Sequence, residues 1–308
     1  MQTQLIDEKR EALTGAPMSL LSLHRGLSWL AKQKLAPRTP DDDGEIPRTL
    51  EAFAREFLVE ECAAVAERAA LAPHDPDAFI AWFEDLKQTG PGQGDSLFPY
   101  LAEKATREEM RWFLAQETAG EAGFDDLVAL TQLRFPREAK LEMAHNYWDE
   151  MGGGNERGMH GPMLARLGDE LDLSGLRAET VWESLALANL MAGFALDRAY
   201  AYHSVGALGV VELTAPGRCK DVTRGLERLG IDASARKYYA LHSSIDITHS
   251  RLWDEHVLRP LVASRPELAR WLAEGALARL AAGKRTFDRY RIELGLSSRA
   301  DVTLRLHG

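Results

Sequence analysis

Residues 178–212 constrain this chain more than any other stretch. They are apolar nearly all the way round a helical wheel, with Ala, Gly and Leu throughout. A helix with no polar face has no side to give to water, so it belongs at the centre of a bundle. Elsewhere, alternating β-branched runs bounded by turns do not recur, while helical periodicity filled by Ala, Leu, Glu and Arg does. The expectation is an all-α protein, with residues 1–95 as an N-terminal helical portion packed on a core of residues 96–308.

Breakers divide the rest. The spacing predicts helices over residues 18–34, 49–71 and 76–86, two helical pieces within 96–117, and helices over 124–133 and 137–151. Pro and acidic residues mark 36–47 as a loop, and Gly90-Pro91-Gly92-Gln93-Gly94 is a clear interruption. Gly152-Gly153-Gly154 predicts a turn just after Glu150. Pro216-Gly217 is expected to end the central apolar stretch. Residues 232–258 read as one helix, followed by a final pair over 266–282 and 286–294.

That 232–258 segment holds His242-Ser243-Ser244-Ile245-Asp246-Ile247-Thr248-His249, an H-x-x-x-D-x-x-H stripe. At about 100° per residue, positions i, i+4 and i+7 fall within roughly 60° of one another. On one helix, the two imidazoles and the carboxylate would share a centre. Imidazole with carboxylate suits iron or manganese better than calcium, and the stripe has no thiolate to suggest structural zinc.

Further ligands are countable. Glu212 closes the apolar run 30 residues before His242, and a carboxylate there is costly unless paired or metal-bound. Residues 145–160 gather His145, Asp149, Glu150 and His160 around the glycine break. Glu150 and His160 do not share a face on an unbroken helix, but a turn at the glycines would aim both at one metal.

Composition limits the alternatives. The chain has 308 residues and 45% hydrophobic content, enough for a substantial core. Its net charge of -10 argues against nucleic-acid or anionic-membrane partners. Cys62 and Cys219 lack CxxC spacing, which excludes a disulfide framework and makes a reducing cytosol the default. Residues 1–10 lack the apolar stretch of a secretory signal. The most apolar run, residues 184–196, falls short of the roughly 20 residues a membrane span needs. A cytoplasmic protein is expected.

Together these residues resemble the heme-oxygenase-like diiron oxidases and oxygenases, a family of iron-containing redox enzymes. Members carry a Glu and then a His around a Gly-rich D-E-x-G-x-G type stretch. A further Glu stands on a central helix ahead of a terminal H-x-x-x-D-x-x-H. Here Asp149-Glu150-Met151-Gly152-Gly153-Gly154 precedes His160, then come Glu212 and His242, Asp246 and His249. The likeness spans roughly residues 110–255.

The resemblance implies a heme-oxygenase-like bundle of about seven core helices. It implies two irons, cycling between Fe(II) and Fe(III), held by Glu150, His160, Glu212, His242, Asp246 and His249. Some members add a carboxylate from the preceding helix, for which Glu117 is the candidate. Oxygen would be co-substrate and heme would be absent. An external electron donor, a small-molecule substrate and, by analogy, a homodimer would complete the system. Known members N-oxygenate amines or guanidines, cleave C–C bonds of fatty acids or amino acids, or convert their own side chain to an aminobenzoate. N-oxygenation of a small metabolite's amine in a biosynthetic pathway is the expected activity, and C–C cleavage of an amino acid or fatty acid is its alternative.

Rival readings use the same residues differently. A ferritin-like site would take Glu142 and His145 as E-x-x-H, Asp246 and His249 as D-x-x-H, and Glu117 and Glu212 as single carboxylates. It leaves His160, His242 and the glycines without a task. Outside catalysis, the chain could be a helical binding protein with these groups on its surface. A thiaminase-like relative would need a nucleophilic Cys, and Cys62 and Cys219 are expected away from the ligand-bearing segments. Around the site, His145 and Asp149 are expected to orient ligands. His203, Asn189, Tyr202 and Arg251 are candidates for substrate contact, and Tyr147, Trp148 and Trp253 for shaping a cavity.

Overall fold

The computed structural model describes residues 18–42, 46–120 and 123–296. Residues 1–10, read above for a signal, and residues 43–45 of the Pro-rich loop lie outside them. All regular structure among the described residues is helical. The helices are α1 (Leu20–Leu35), α2 (Arg48–Ala63), α3 (Ala66–Ala69), α4 (Pro76–Thr89), α5 (Leu97–Glu103), α6 (Arg107–Gly120), α7 (Phe124–Thr131) and α8 (Arg137–Glu150). They continue as α9 (His160–Glu170), α10 (Trp182–Leu196), α11 (Ala201–Arg228), α12 (Lys237–His242), α13 (Ile245–Trp253), α14 (Arg259–Ser264) and α15 (Leu268–Glu293). The fold is an all-α, heme-oxygenase-like bundle.

As the apolar run demands, α10 and the first half of α11 are buried on nearly every side. One apolar cluster joins them to Leu23, Phe53, Phe57, Phe79 and Phe83 from the N-terminal helices and to Trp253, Leu272 and Leu277 beyond. A second cluster joins Leu97, Phe113, Leu167 and Tyr290 to Val222 and Leu226 of the later turns of α11. Glu212 stands on α11 between the two. The helix α11 packs most extensively on α15, and two glycines permit that approach. A Cβ on Gly206 would lie 1.9 Å from the Leu272 carbonyl oxygen, and one on Gly275 would lie 2.0 Å from that of His203.

Four expectations need correction. The helix predicted over 49–71 stops at Ala63 and resumes only as the single turn α3. Pro216 does not end the central helix, since α11 runs through it to Arg228. The proline withholds one N–H from the carbonyl of Glu212, four residues back, and burial of Val222 and Leu226 further on outweighs that loss. The final pair is one helix, α15. Gly283 costs about 1 kcal/mol there, against the burial of Leu280, Phe287 and Tyr290.

The fourth correction bears on chemistry. The stripe segment is not one helix, because α12 ends at His242 and α13 begins at Ile245. Ser243 Oγ donates to the Ala240 carbonyl and Ser244 Oγ to that of Leu241. Such back-bonding competes with the helical ladder, and Ser244 takes φ -131° and ψ -43°. A π-helical turn, Asp254–Leu258, then follows α13.

Candidate metal centre

The break divides the stripe between two groups of ligand atoms. His242 joins Glu150 and His160, while Asp246 and His249 join Glu212. Within each group, one potential ligand atom per residue lies within 4.8 Å of the others. The sequence reading of one stripe at one centre is thereby corrected to two adjoining triads.

The first triad is built by the glycine turn. Gly152, Gly153 and Gly154 have φ of 65°, 61° and 82°, values that cost other residues heavily. A Cβ on Gly152 would also strike the Gly158 carbonyl carbon at 2.3 Å. The chain therefore reverses between α8 and α9, and His160 Nδ1 comes 2.7 Å from Glu150 Oε2. This contact lacks hydrogen-bond geometry, so His160 Nδ1 is buried without a hydrogen-bond partner. The His242 ring meets that of His160 edge-on, with centroids 4.6 Å apart. Its Nδ1–H donates to the Tyr238 carbonyl at 2.7 Å, which leaves the Nε2 lone pair for a ligand.

In the second triad, His249 Nδ1 lies 3.4 Å from Glu212 Oε2, again without hydrogen-bond geometry. Its Nε2 faces Asp149 Oδ2 at 3.1 Å. Asn146 Nδ2 donates to Glu212 Oε1 at 2.8 Å, so that oxygen is fixed while Oε2 faces the imidazole. Sequence reasoning missed Asn146, although it stands one turn before Glu150 on the same helical face.

Electrostatics mark the place as short of positive charge. Burial and the Glu212 carboxylate push Glu150 well above the usual carboxylate range. The same causes lift Asp246 to about 9. Burial opposes charge on His249, yet Glu212, Asp149 and Asp246 hold it up at about 9. Burial, then its neighbour His249, lowers His160 to about 4; burial, then His160, does the same for His242. Three buried carboxylates and three imidazoles, two of whose nitrogens lack hydrogen-bond partners, suit cations that would neutralise the former and accept the lone pairs of the latter.

Both triads open on one cavity of about 80 Å³. Glu150, Glu212, His242 and Asp246 line it together with Phe124, Val211, Ala215, Cys219 and Tyr238. Cys219 was expected away from the ligand-bearing segments; the continuation of α11 past Pro216 brings it to the cavity. Burial and then Asp246 raise its thiol, which leaves it a poor nucleophile.

Other expected residues lie elsewhere. Glu117 accepts from the Tyr290 hydroxyl at 3.1 Å and stands outside both triads. His145 is 52% exposed and lies 3.8 Å from Asp149, so it reaches His249 only through that carboxylate. The ferritin-like grouping around Glu142 and His145 does not assemble among the described residues. His203 meets Cys62 and Glu274 instead. Tyr202 packs on Phe135 and Arg265. Asn189 donates to the His24 carbonyl and accepts from Ser28. Trp253 is a core residue that donates to the Val205 carbonyl. Tyr147 packs partly buried on the first cluster, and Trp148 is exposed. Arg251 pairs with Glu255 and rims a neighbouring cavity that Glu212 also reaches.

No described helix is long and apolar enough to cross a membrane. Comparison with curated proteins gives no match. The family model for iron-containing redox enzymes matches residues 111–284, more than half of the chain. That match spans every residue of both triads, and the chain belongs to the iron-containing redox enzyme family.

Proposed function

We propose that the chain is a non-heme diiron oxygenase that oxidises an amine nitrogen of a small metabolite. The observation that carries this reading is the pair of His–carboxylate triads opening on one small cavity. Glu150, His160 and His242 would hold one iron; Glu212, Asp246 and His249 would hold the other. Bound there, two ferrous ions supply electrons to O2 and the oxidising power to place an oxygen atom on nitrogen.

The chain's own residues set the conditions. Asp149 orients the His249 ring and favours its Nδ1 lone pair toward the site. The Tyr238 carbonyl does the same for His242 through the opposite nitrogen. Phe124, Val211 and Ala215 make part of the cavity wall apolar, and its small volume favours a compact substrate. Neither Lys nor Arg lines it, so no side-chain cation is placed to hold a fatty-acid carboxylate there. The first turnover balances as RNH2 plus O2, two electrons and two protons giving RNHOH and water, with the electrons from an external donor.

C–C cleavage is the second reading, and one observation favours it. Beyond Glu212 a cavity of about 210 Å³ includes Lys87 and Arg251 in its lining. A substrate carboxylate would find cations there, although Glu84 and Asp254 stand in the same wall.

The test is anaerobic reconstitution with Fe(II), counting iron per chain, followed by rapid mixing with O2. About two irons, a transient visible absorbance and faster decay with small amines are expected. Faster decay with fatty acids or with carboxylate-only analogues would replace N-oxygenation by C–C cleavage. Absence of iron binding would leave a helical binding protein.

A further inference from the structure

A third group of ligand-bearing side chains lies outside the centre described above. Cys62 comes from α2, His203 from the first turn of α11 and Glu274 from α15. All three are buried, and one ligand atom of each lies within 4.8 Å of the others. The close crossing at Gly275 is what brings His203 onto Glu274. From His203 to Glu212 the helix rises by about 13 Å, so the group is separate from the two triads.

Its internal hydrogen bonding is incomplete. His203 Nε2 lies 3.3 Å from Glu274 Oε1. That is also roughly the edge of a tetrahedron whose metal–ligand bonds are about 2.0 Å. His203 Nδ1 and Glu274 Oε2 are buried without hydrogen-bond partners. The nearest cation to Glu274 Oε2 is Arg270, at 3.9 Å. Phe194, Tyr200 and Trp271 pack round the imidazole and limit water's access. An ion held through His203 Nε2 would not reach Nδ1 of the same ring; it is Glu274 Oε2, unsatisfied beside the Cys62 thiol and the imidazole, that calls for a further partner, and an ion suits all three donors.

We propose that Cys62, His203 and Glu274 form a second metal site, built for a borderline-soft divalent cation of the zinc type. Thiolate, imidazole and carboxylate together are a zinc donor set, with a fourth position left for water. The two triads offer only nitrogen and oxygen and suit iron, so ligand softness would sort two metals within one chain. The cation would clamp α2 to the α11–α15 crossing and so stiffen the bundle away from the cavity.

Cobalt(II) serves as the probe on the full chain, because a thiolate ligand gives a near-ultraviolet charge-transfer band that the two triads cannot produce. The band is expected in the wild type, titrating to about one cobalt in this site and displaced by zinc. It should persist in His249→Ala and in Cys219→Ser and vanish in Cys62→Ser. His203→Gln, checked for native helicity by circular dichroism, should lose it too. A wild type without the band, or a band that survives Cys62→Ser, would overturn the site and leave a hydrogen-bonded core triad. Neither result touches the iron count on which the oxygenase reading rests.

Discussion

His249 lies between two carboxylates, with Nε2 3.1 Å from Asp149 Oδ2 and Nδ1 3.4 Å from Glu212 Oε2. Only one of these contacts, that with Asp149, has hydrogen-bond geometry. Asp149 therefore fixes the ring and enriches the nitrogen that would meet a metal. Asp149→Asn keeps the shape and removes the charge. It should weaken iron binding at the second triad by roughly 10–100-fold. Competition between the protein and a calibrated Fe(II) chelator checks this; an unchanged affinity would remove Asp149 from the site.

The divided stripe makes a stoichiometric prediction. His242→Ala and His249→Ala damage different triads, so each should lower iron from about two per chain toward about one. His145→Ala should leave the count unchanged, because that imidazole is exposed and touches no triad member directly. Iron lost with His145→Ala but kept with His160→Ala would restore the ferritin-like arrangement.

What the sequence showed and hid follows from which forces act locally. The helical class was legible because the buried helices of residues 182–196 and 201–212 carry apolar side chains nearly all the way round. The glycines, which permit a reversal of the chain, made the Glu150–His160 approach only weakly legible by themselves, and the family resemblance carried the rest. The break within the stripe was not legible, since a helical wheel ignores the hydroxyls of Ser243 and Ser244 that bond back to carbonyls. Reading Pro216 as a terminus hid Cys219, one turn beyond Ala215 on the continuing helix. Asn146 was hidden because its role depends on Glu212, 66 residues away.

Metal-free protein should lose stability as pH rises from about 6.5 to 9. Asp246 and His249 are each held at about 9 in the folded chain, above their ordinary values of 3.8 and 6.5. A group raised on folding stabilises fully below its unfolded pKa, and that stabilisation is lost as pH climbs through the folded pKa. Each fully titrating proton is worth about 1.4 kcal/mol per pH unit. His160 and His242, lowered to about 4, act in the opposite sense but only below about 6.5. Thermal melting of chelator-treated protein should fall across this window, and iron-loaded protein should show a smaller slope. A flat profile without metal would contradict the burial of charge assigned to the triads.

Gly152→Ala tests whether the turn builds the first triad. The new Cβ would meet the Gly158 carbonyl carbon at 2.3 Å in a left-handed backbone. The strain alone costs about 1–2 kcal/mol, and its relief must move His160 away from Glu150. Iron should fall toward about one per chain while helicity is retained. Gly161→Ala, where a Cβ meets nothing within 4 Å, is the control and should load normally.

The cavity wall separates substrate binding from metal binding. Val211, Ala215 and Cys219 recur every four residues on α11 and line the same cavity as both triads. Ala215→Leu would add bulk to a space of about 80 Å³ without altering a ligand. Iron content and the first O2-dependent absorbance change should remain near wild type. Acceleration of its decay by small amines should fall at least about tenfold, a loss of about 1.4 kcal/mol in transition-state stabilisation. Undiminished acceleration would mean that the substrate approaches from another side, and the cavity rimmed by Lys87 and Arg251 would then be the place to substitute next.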